Sequence, residues 1–478
     1  MTNKTEKLKT VFPYTDLGNA KRYSHLFKNH YQWIYELKQW YCWNGSRWVA
    51  DITGSSTHRI DEVLEDINQD ILFFKELLAT NHIDDDKYKE LVTKNGKWHQ
   101  TSQSSGKISA AVKLASTQPG VSRSFTDFDS KGTYLGVANG VINLKTGELV
   151  TDQPEYYITK SCSAIYDTEA TCPNWLAFLE QIFEGSQDKC TFIQRLFGQG
   201  ILGTADKDKL VILCGNGANG KSTITDTMIS LLGDYALNTS ANTIIQSKGN
   251  KEYYLAELKG VRLSIINESK KGAYLDEELV KSLVDSGEIQ ARQIYQAPIN
   301  FQPVATPILT TNYRPRLSAD YSINRRIIFV PFDYQLPEEE RNPNFRDEVL
   351  IPELSGILNW VLEGCRQYQE QGLNPPFCIV EATNEYFREN DRIGRFIQER
   401  MIVDLGSRTQ LQEIKDAYVT WGTTNGFREV STDRVSQELR QKGYLVEKRN
   451  NGVYYVMGLR LKTEKEDLGD LRLLDLVS

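Results

Sequence analysis

Three features that often define a protein's class are missing from this sequence: paired cysteines, clustered histidines and long hydrophobic runs. The seven cysteines include no Cys-x-x-Cys pair, and the five histidines do not bracket them at the spacing of zinc ligands. No run approaches the ~18 apolar residues of a membrane span, and the opening MTNKTEKLKT contains no apolar signal-peptide core. The sequence therefore predicts reduced thiols, no structural zinc, no membrane partner and a cytoplasmic location.

An excess of basic residues is missing as well. The 56 lysines and arginines are outnumbered by 63 aspartates and glutamates, and the formal net charge is −7. Any binding of nucleic acid must therefore come from local basic surfaces. The chain has 478 residues, of which 40% are hydrophobic and 25% charged, and this is ordinary for a soluble protein of about three domains.

The most informative segment that is present is a glycine-rich loop. It fits the pattern G-x-x-x-x-G-K-[ST], follows the apolar run 210–213 and precedes a helix predicted to end at Gly233. Glycines let backbone N–H groups surround phosphate oxygens, Lys221 reaches the β and γ phosphates, and Ser222 ligates Mg²⁺. The pattern predicts a nucleoside triphosphate site formed by Gly215, Asn216, Gly217, Ala218, Asn219, Gly220, Lys221, Ser222 and Thr223.

Polar residues beside three further predicted strands favour the same chemistry. Glu268 follows strand 261–266, and an acid there can hold a Mg²⁺-bound water or orient the attacking one. Asn312 follows strand 305–311 and is suited to sensing the γ-phosphate. Arg325 and Arg326 precede strand 327–330, where an arginine can stabilise transferring phosphate in the neighbouring subunit. Each residue alone has an ordinary structural explanation, but their order and close spacing favour an NTPase.

Five segments make the chain resemble the superfamily 3 helicases, in the branch found as the C-terminal half of phage and plasmid primase-helicases. They are GNGANGKST at 215–223, GVRLSIINES at 260–269, SGEIQARQIYQAPINFQP at 286–303, ILTTN at 308–312 and INRRIIFVPF at 323–332. Proteins of this family are AAA+ hexamers. The resemblance implies an α/β fold with an AAA+ P-loop NTPase core, ATP and Mg²⁺ as cofactors, and a homo-hexamer in a bacterial host cell.

The resemblance also implies roles for single residues. These are Walker A for Lys221 and Ser222, the Walker B acid for Glu268, sensor 1 for Asn312 and the arginine finger for Arg326, with Arg325 as the alternative. Asn267 departs from the family pattern, because many NTPases carry an aspartate there that holds Mg²⁺ through water. Metal binding is therefore expected to depend on Ser222 and Glu268.

A hairpin is predicted between the second and third strands, with arms at 288–295 and 299–304. In the resembled helicases this hairpin projects into the pore of the ring and grips single-stranded DNA. Arg292 suits a phosphate and Tyr295 suits stacking on a base, with Lys281 as a weaker candidate. An ordinary hairpin with a solvated arginine and a half-buried tyrosine is the alternative.

Aromatic residues are concentrated in residues 16–51, which contain four of the eight tryptophans. They can stack on bases beside neighbouring lysines and arginines, but we favour a hydrophobic core. A hairpin turn is predicted at Asn44-Gly45, a helix over 60–78 and a β-meander over 137–149. The polar segments 84–86 and 102–106 are predicted as connectors, and the three aspartates of the first as a solvated loop rather than a metal site.

The region before the phosphate loop also resembles the corresponding region of phage and satellite primase-helicases. The similar segments are TDLGNAKRY, WYCWNGSRWVAD and VANGVINLKTGELV. No primase-type pair of catalytic acids followed by a histidine is found there. A primase or a loader is therefore expected to be a separate protein.

The last part of the chain has the pattern of a winged helix. A helix with one apolar face over 411–421 and a second helix capped by Ser431 precede two strands joined at 450–452. Residues 408–462 contain ten lysines and arginines against six aspartates and glutamates. Duplex DNA, such as a replication origin, is the expected ligand, although winged helices also bind proteins. The candidate contacts are Arg434 and Arg440 on the second helix and Lys448 and Arg449 on the wing.

These patterns together predict both organisation and function. The predicted order is an N-terminal α+β domain (1–155), a helical collar (156–205), the AAA+ core (206–335), a helical lid or bundle (336–400), a winged helix (401–465) and an acidic tail (466–478). The predicted function is that of an ATP-driven replicative DNA helicase of a phage, plasmid or satellite element. The alternatives are an origin-binding initiator that melts or assembles on DNA without processive unwinding, and a P-loop ATPase of signalling or remodelling.

Overall fold

The computed structural model describes residues 11–204, 208–240, 251–267, 271, 273–285, 287–292, 299–317, 321–425, 431–449, 452–463 and 466. Glu268, Tyr295 and most of the predicted acidic tail lie outside the described residues. Nowhere in the described ranges is there a helix both long enough and apolar enough to cross a membrane.

The first part of the chain combines helices with a small sheet. Its elements are α1 (Asp16–Phe27), β1 (Tyr31–Ile34), β2 (Gln39–Trp43), β3 (Trp48–Ala50), α2 (Ser55–His58), α3 (Ile60–Ala79), α4 (Asp85–Ser102), α5 (Ser105–Ala115) and β4 (Ser122–Arg123). The strand order is β3-β2-β1-β4, with β1 antiparallel to β2 and parallel to β4. Trp40 and Trp48 are buried, which confirms that these aromatic residues serve largely as core.

The prediction of connectors at 84–86 and 102–106 is right only in part. Residue 84 and residues 103–104 do lie between helices, but the other residues of both segments belong to α4 or α5. The Asp84 carboxylate caps α4 by accepting a hydrogen bond from the backbone N–H of Lys87 at 2.7 Å. Ser104 stands at the N-cap position of α5. Aspartate and serine favour both turns and helix N-termini, because their short side chains accept hydrogen bonds from nearby backbone N–H groups. The sequence pattern therefore did not distinguish a turn from a helix N-terminus.

A meander and two helices lead to the glycine-rich loop. The meander comprises β5 (Tyr134–Val137), β6 (Gly140–Asn143) and β7 (Leu149–Val150), which are antiparallel and confirm the prediction for this segment. The helices are α6 (Pro173–Ile182) and α7 (Gln187–Ile201). Proline begins α6 at a position where its missing N–H costs no hydrogen bond.

The central unit is a parallel sheet. Its elements, in chain order, are β8 (Leu210–Cys214), α8 (Lys221–Leu232), β9 (Ala236–Ser240), α9 (Lys251–Glu257), β10 (Leu263–Asn267), α10 (Glu277–Val284), β11 (Ile289–Ala291), β12 (Ile299–Phe301), β13 (Thr306–Thr311) and β14 (Ile327–Pro331). The strand order is β14-β8-β13-β10-β9, and β11 pairs with β12 outside this sheet. Because the strands are parallel, the residues that follow them collect at one edge of the sheet.

Two long helices follow the sheet, namely α11 (Leu354–Gln371) and α12 (Phe377–Asn390), and residues 372–376 separate them. Helix α11 packs closely on α7 where two glycines face each other. A Cβ atom added to Gly198 would lie 2.1 Å from the carbonyl carbon of Gly364. The absence of side chains at this crossing sets the distance between the helices.

One hydrophobic core extends across several of these units. Its buried residues include Leu135 of β5, Trp175 of α6, Phe197 of α7, Val211 of β8 and Ile357 of α11. A second cluster covers the other face of the sheet and includes residues of α9, α10 and α12.

The C-terminal unit comprises α13 (Arg392–Arg400), β15 (Met401–Gln410), α14 (Leu411–Thr424), α15 (Thr432–Gln441), β16 (Val446–Lys448) and β17 (Tyr454–Leu461). Helices α14 and α15 and the antiparallel pair of β16 and β17 confirm the elements predicted here. Strand β15 adds to the pair in the order β15-β17-β16. Phe396 of α13 packs against Tyr418 and Trp421 of α14, so α13 shares the core of this unit.

Candidate functional site

The glycine-rich loop leaves the end of β8 and turns into α8 with a backbone that requires small residues. Gly217 and Gly220 have φ of +93° and +80°, which glycine adopts without the strain of a side chain. A Cβ atom at Gly220 would also lie 2.9 Å from Cγ2 of Ile182 in α6. Gly215 is confined in another way, since a Cβ atom there would lie 2.4 Å from the carbonyl oxygen of Phe332.

Lys221 is the first residue of α8, and its side chain turns back into the loop. Its ammonium donates to the carbonyl oxygen of Gly215 and to Oδ1 of Asn219, each at 2.8 Å, and to Oδ1 of Asn312 at 3.4 Å. The residue is 5% exposed, and burial lowers the pKa of Lys221 to about 8. All three acceptors are uncharged, and among the described residues no carboxylate forms an ion pair with this ammonium. The site therefore holds a desolvated positive charge that an anion would stabilise.

The predicted sensor Asn312 stands beside this ammonium because β13 is the immediate neighbour of β8. The strand register pairs Thr311 with Cys214, which brings the residue after β13 to the start of the loop. The structure thus brings together Lys221, Asn219 and Asn312, three of the residues that the sequence analysis assigned to the nucleotide site.

Asn267, the departure from the family pattern, links three neighbouring strands through its side-chain amide. Its Oδ1 accepts a hydrogen bond from Thr310 at 2.5 Å, and its Nδ2 donates to Oδ1 of Asn238 at 2.7 Å. The amide thus holds β9, β10 and β13 together at the edge next to the loop. Ser222, the predicted Mg²⁺ ligand, is exposed at the start of α8. Its hydroxyl is therefore accessible to a cation, while the other predicted ligand, Glu268, lies outside the described residues.

A cleft of about 400 Å³ opens beside the loop. Besides loop residues it is lined by Asn312, Tyr313, Arg314, Phe329 and the segment 331–335 after β14. The sequence reasoning missed Arg314 and this segment. A cation two residues after Asn312 was the available signal, whereas the segment is polar and aromatic without a recognisable motif.

Arg326, the predicted arginine finger, has a partner in its own chain. Its Nε and Nη2 donate to Oδ1 of Asp285 at 2.9 and 2.8 Å, and Nη1 donates to the carbonyl oxygen of Ser322 at 3.0 Å. The Arg326 side chain is 11% exposed, whereas that of Asp285 is 50% exposed. Arg325 is exposed, and its carbonyl oxygen accepts a bond from Lys209 at 2.9 Å. Neither arginine lines the cleft beside the loop of this chain.

The candidate DNA-contacting residues lie in two other places. Lys281 is in α10, and Arg292 is exposed directly after β11. In the C-terminal unit Arg440, Lys448 and Arg449 are exposed. Arg434 is half-buried, and its Nε lies 3.2 Å from the buried carboxylate of Glu438. The pKa of Glu438 is raised, chiefly by its burial, although Arg434 opposes that shift.

Two family models match parts of the chain. Residues 20–184 match the D5 N terminal like family, and residues 213–326 match a family of unknown function, DUF5906. The second range contains the whole glycine-rich loop together with Asn312 and Arg326.

Among curated proteins, the chain is similar to viral proteins. It is 24% identical over 300 residues to the candidate helicase L207/L206 of Acanthamoeba polyphaga mimivirus, which covers 58% of this chain and 31% of that protein. It is 25% identical over 332 residues to the candidate primase C962R of African swine fever virus (isolate Tick/Malawi/Lil 20-1/1983), covering 63% and 34%. The chain thus spans about a third of the length of these relatives.

A solved structure resembles most of the chain. It is the apo structure of the NrS-1 C terminal region, with a TM-score of 0.49 and 11% sequence identity, covering 92% of this chain and 99% of that one.

Proposed function

We propose that this chain is an ATP-dependent replicative DNA helicase or replication initiator of a phage, plasmid, satellite or related viral element. It hydrolyses ATP at the subunit interfaces of a homo-hexameric ring, moves on single-stranded DNA and unwinds duplex. The buried Lys221 ammonium, whose hydrogen-bond acceptors within the described part of the chain are neutral oxygens, is the observation that carries the ATP site. The names of the viral relatives favour a role for this chain in DNA replication.

The residues of the proposed ATP site divide the work. Lys221 and the backbone N–H groups of the loop bind the phosphates, and the side chain of Asn312 senses the terminal phosphate. Glu268 orients the attacking water, and Ser222 with Glu268 holds Mg²⁺, which neutralises phosphate charge when bound. Arg326 of one subunit completes the site of its neighbour. For that step it must exchange Asp285 for phosphate, and the exposure of Asp285 keeps this exchange possible.

The DNA contacts in this proposal come from two surfaces. Hairpin residues Arg292 and Tyr295 contact the single strand in an AAA+ ring, with Lys281 of α10 as a weaker candidate. The C-terminal unit acts as a winged helix, with α15 as the recognition helix and the β16–β17 connection as the wing. Arg440, Lys448 and Arg449 are its accessible cations, while Arg434 chiefly neutralises Glu438.

ATP turnover with and without single-stranded DNA, measured beside the mass of the assembled species, tests the proposal. We expect turnover that rises when single-stranded DNA is added and a species of six chains. A protein that assembles but hydrolyses no ATP under either condition contradicts the helicase proposal. Turnover that ignores DNA points to a P-loop ATPase of another process.

The exposed cations of the C-terminal unit favour a second candidate, an origin-binding initiator that melts or assembles on DNA. Strand displacement on forked DNA separates the two functions. The helicase displaces the strand over a long duplex, whereas the initiator hydrolyses ATP on DNA without doing so.

The lowered pKa of Lys221 predicts a pH dependence of ATP binding. Below pH 8 the ammonium is already charged, so affinity should change little between pH 7 and 8. Above pH 8 the free site loses its proton, and binding must restore it, so affinity should fall by up to about tenfold for each pH unit. Calorimetric titration with ATP between pH 7 and 10 measures this profile.

The matched control for the pH profile is Lys221→Arg, whose guanidinium stays charged throughout this range. Its affinity, whatever its value at pH 7, should not fall with pH in the same way. Parallel profiles in the two proteins would show that another group titrates.

A further inference from the structure

A second cation stands at the mouth of the proposed ATP site. Arg314 lies two residues beyond Asn312, lines the same cleft as the loop residues Gly215 and Asn219, and places its guanidinium 5.2 Å from the centroid of the Phe329 ring. Burial raises the pKa of Cys214 at the end of β8, and the positive charges of Lys221 and Arg314 both oppose that shift. The positive charges of Lys221 and Arg314 are therefore both close enough to the end of β8 to influence Cys214 there.

Arg314 is held by an ion pair with Glu389, near the end of α12. The side chains are 42% and 47% exposed. An ion pair in such contact with water contributes little to stability, because solvent screens the charges and the side chains lose freedom. A more highly charged partner that reaches Arg314 can therefore displace Glu389 at little cost.

The C-terminal end of α12 also forms hydrogen bonds with the backbone that follows Arg314. The Tyr386 hydroxyl donates to the carbonyl oxygen of Pro315 at 2.8 Å, and Oδ1 of Asn390 accepts from the N–H of Leu317 at 3.0 Å. Arg392, the first residue of α13, donates to the carbonyl oxygen of Leu317 at 3.0 Å and lies over the Tyr274 ring. Segment 314–317 thus joins the cleft to the first helix of the C-terminal unit.

We propose that Arg314 exchanges Glu389 for the terminal phosphate of a bound nucleoside triphosphate, and that this exchange signals nucleotide binding to the C-terminal unit through the end of α12. The inference rests on the proposed ATP site. Arg314 is then a positive group of the same chain, distinct from the cation expected from a neighbouring subunit. Glu389 is a positioning residue that competes with the phosphate.

Two substitutions should have opposite effects on ATP affinity. Glu389→Gln removes the competing charge and should tighten ATP binding by about threefold or more, while Arg314→Met removes the phosphate partner and should weaken it by about tenfold. The loss in Arg314→Met should be under about threefold for ADP, which lacks the terminal phosphate. Fluorescence titration with labelled ATP and ADP measures these affinities.

The double variant and a control on the same helix make the test specific. Because Glu389 acts through Arg314, the variant carrying both substitutions should bind ATP like Arg314→Met alone. Glu381→Gln, a like substitution at an exposed position of α12, should leave the affinity unchanged. Thermal unfolding of each variant checks that the fold survives.

The outcomes separate this inference from the function on which it rests. If the wild-type chain and the variants all fail to bind ATP, the proposed ATP site is wrong. If the wild type binds ATP and Lys221→Ala does not, but Glu389→Gln binds equally or more weakly, the exchange does not occur. Equal losses in Glu389→Gln and Arg314→Met would mean that the ion pair is structural, and equal losses of ATP and ADP in Arg314→Met would exclude the terminal phosphate.

Discussion

Lys221→Ala should bind ATP at least about a hundredfold more weakly than the wild type, because each charge-assisted bond to phosphate contributes about 1.5–3 kcal/mol and the ammonium can make several. Asn219 and Asn312, whose side chains accept hydrogen bonds from the ammonium, present neutral oxygens and do not replace its charge. Titration calorimetry with ATP at pH 7.5 measures the loss.

The fold of Lys221→Ala should survive. The native site holds a charged group whose pKa is depressed to about 8 by burial, so below pH 8 its charge opposes folding. We therefore expect the variant's thermal midpoint at pH 7 to be at least as high as that of the wild type. Lys145→Ala, at an exposed turn between β6 and β7, is the matched control and should bind ATP normally. Normal ATP binding by Lys221→Ala would contradict the site.

Arg326→Ala should reduce ATP turnover by about a thousandfold or more, as expected for a cation that stabilises transferring phosphate. If Arg326 acts in the neighbour's site, mixing restores activity. Protomers with Lys221→Ala keep Arg326, and protomers with Arg326→Ala keep the loop, so some interfaces of a mixed ring contain a complete site. Turnover of the mixture should exceed the sum of the two parents.

The mixing experiment needs two checks. Exchange of protomers is confirmed by mass measurement of rings that contain tagged and untagged chains. Arg325→Ala is assayed beside Arg326→Ala, because Arg325 is exposed whereas Arg326 is paired with Asp285. A mixture that shows only the sum of its parents, or an inactive Arg325→Ala beside an active Arg326→Ala, would show that Arg326 is not the finger.

The loop and its neighbours were predictable because their signal is local. Glycines at positions of positive φ, a lysine at the start of α8 and apolar runs before each polar strand end are all visible along the sequence. The meeting of Asn312 with Lys221 required one more step, the rule that parallel strands end at a common edge.

Other features depend on contacts between distant residues and left no local trace. The pairing of Arg314 with Glu389 joins positions 75 residues apart, and that of Arg326 with Asp285 joins positions 41 apart. The facing glycines of α7 and α11 are a similar case. Considered one helix at a time, each is only a residue that lowers helix stability, and nothing near it in the sequence indicates the other. The helix at 85–102 was missed for a different reason, because its buried residues, Asn95 and Ser102, are polar and leave no apolar periodicity in the sequence.

The hydrophobic core shared by the meander, the two helices before the loop, the sheet and α11 has a practical consequence for anyone who wishes to isolate a minimal catalytic fragment. Cutting the gene just before β8 and just after β14 would remove Phe197, Trp175 and Ile357 from the core that they share with Val211, Ile224 and Ile328, and would expose part of that core to water. Such a piece should be recovered as insoluble aggregate. A boundary near residue 130 that also retains α11 keeps the residues of that core in one fragment.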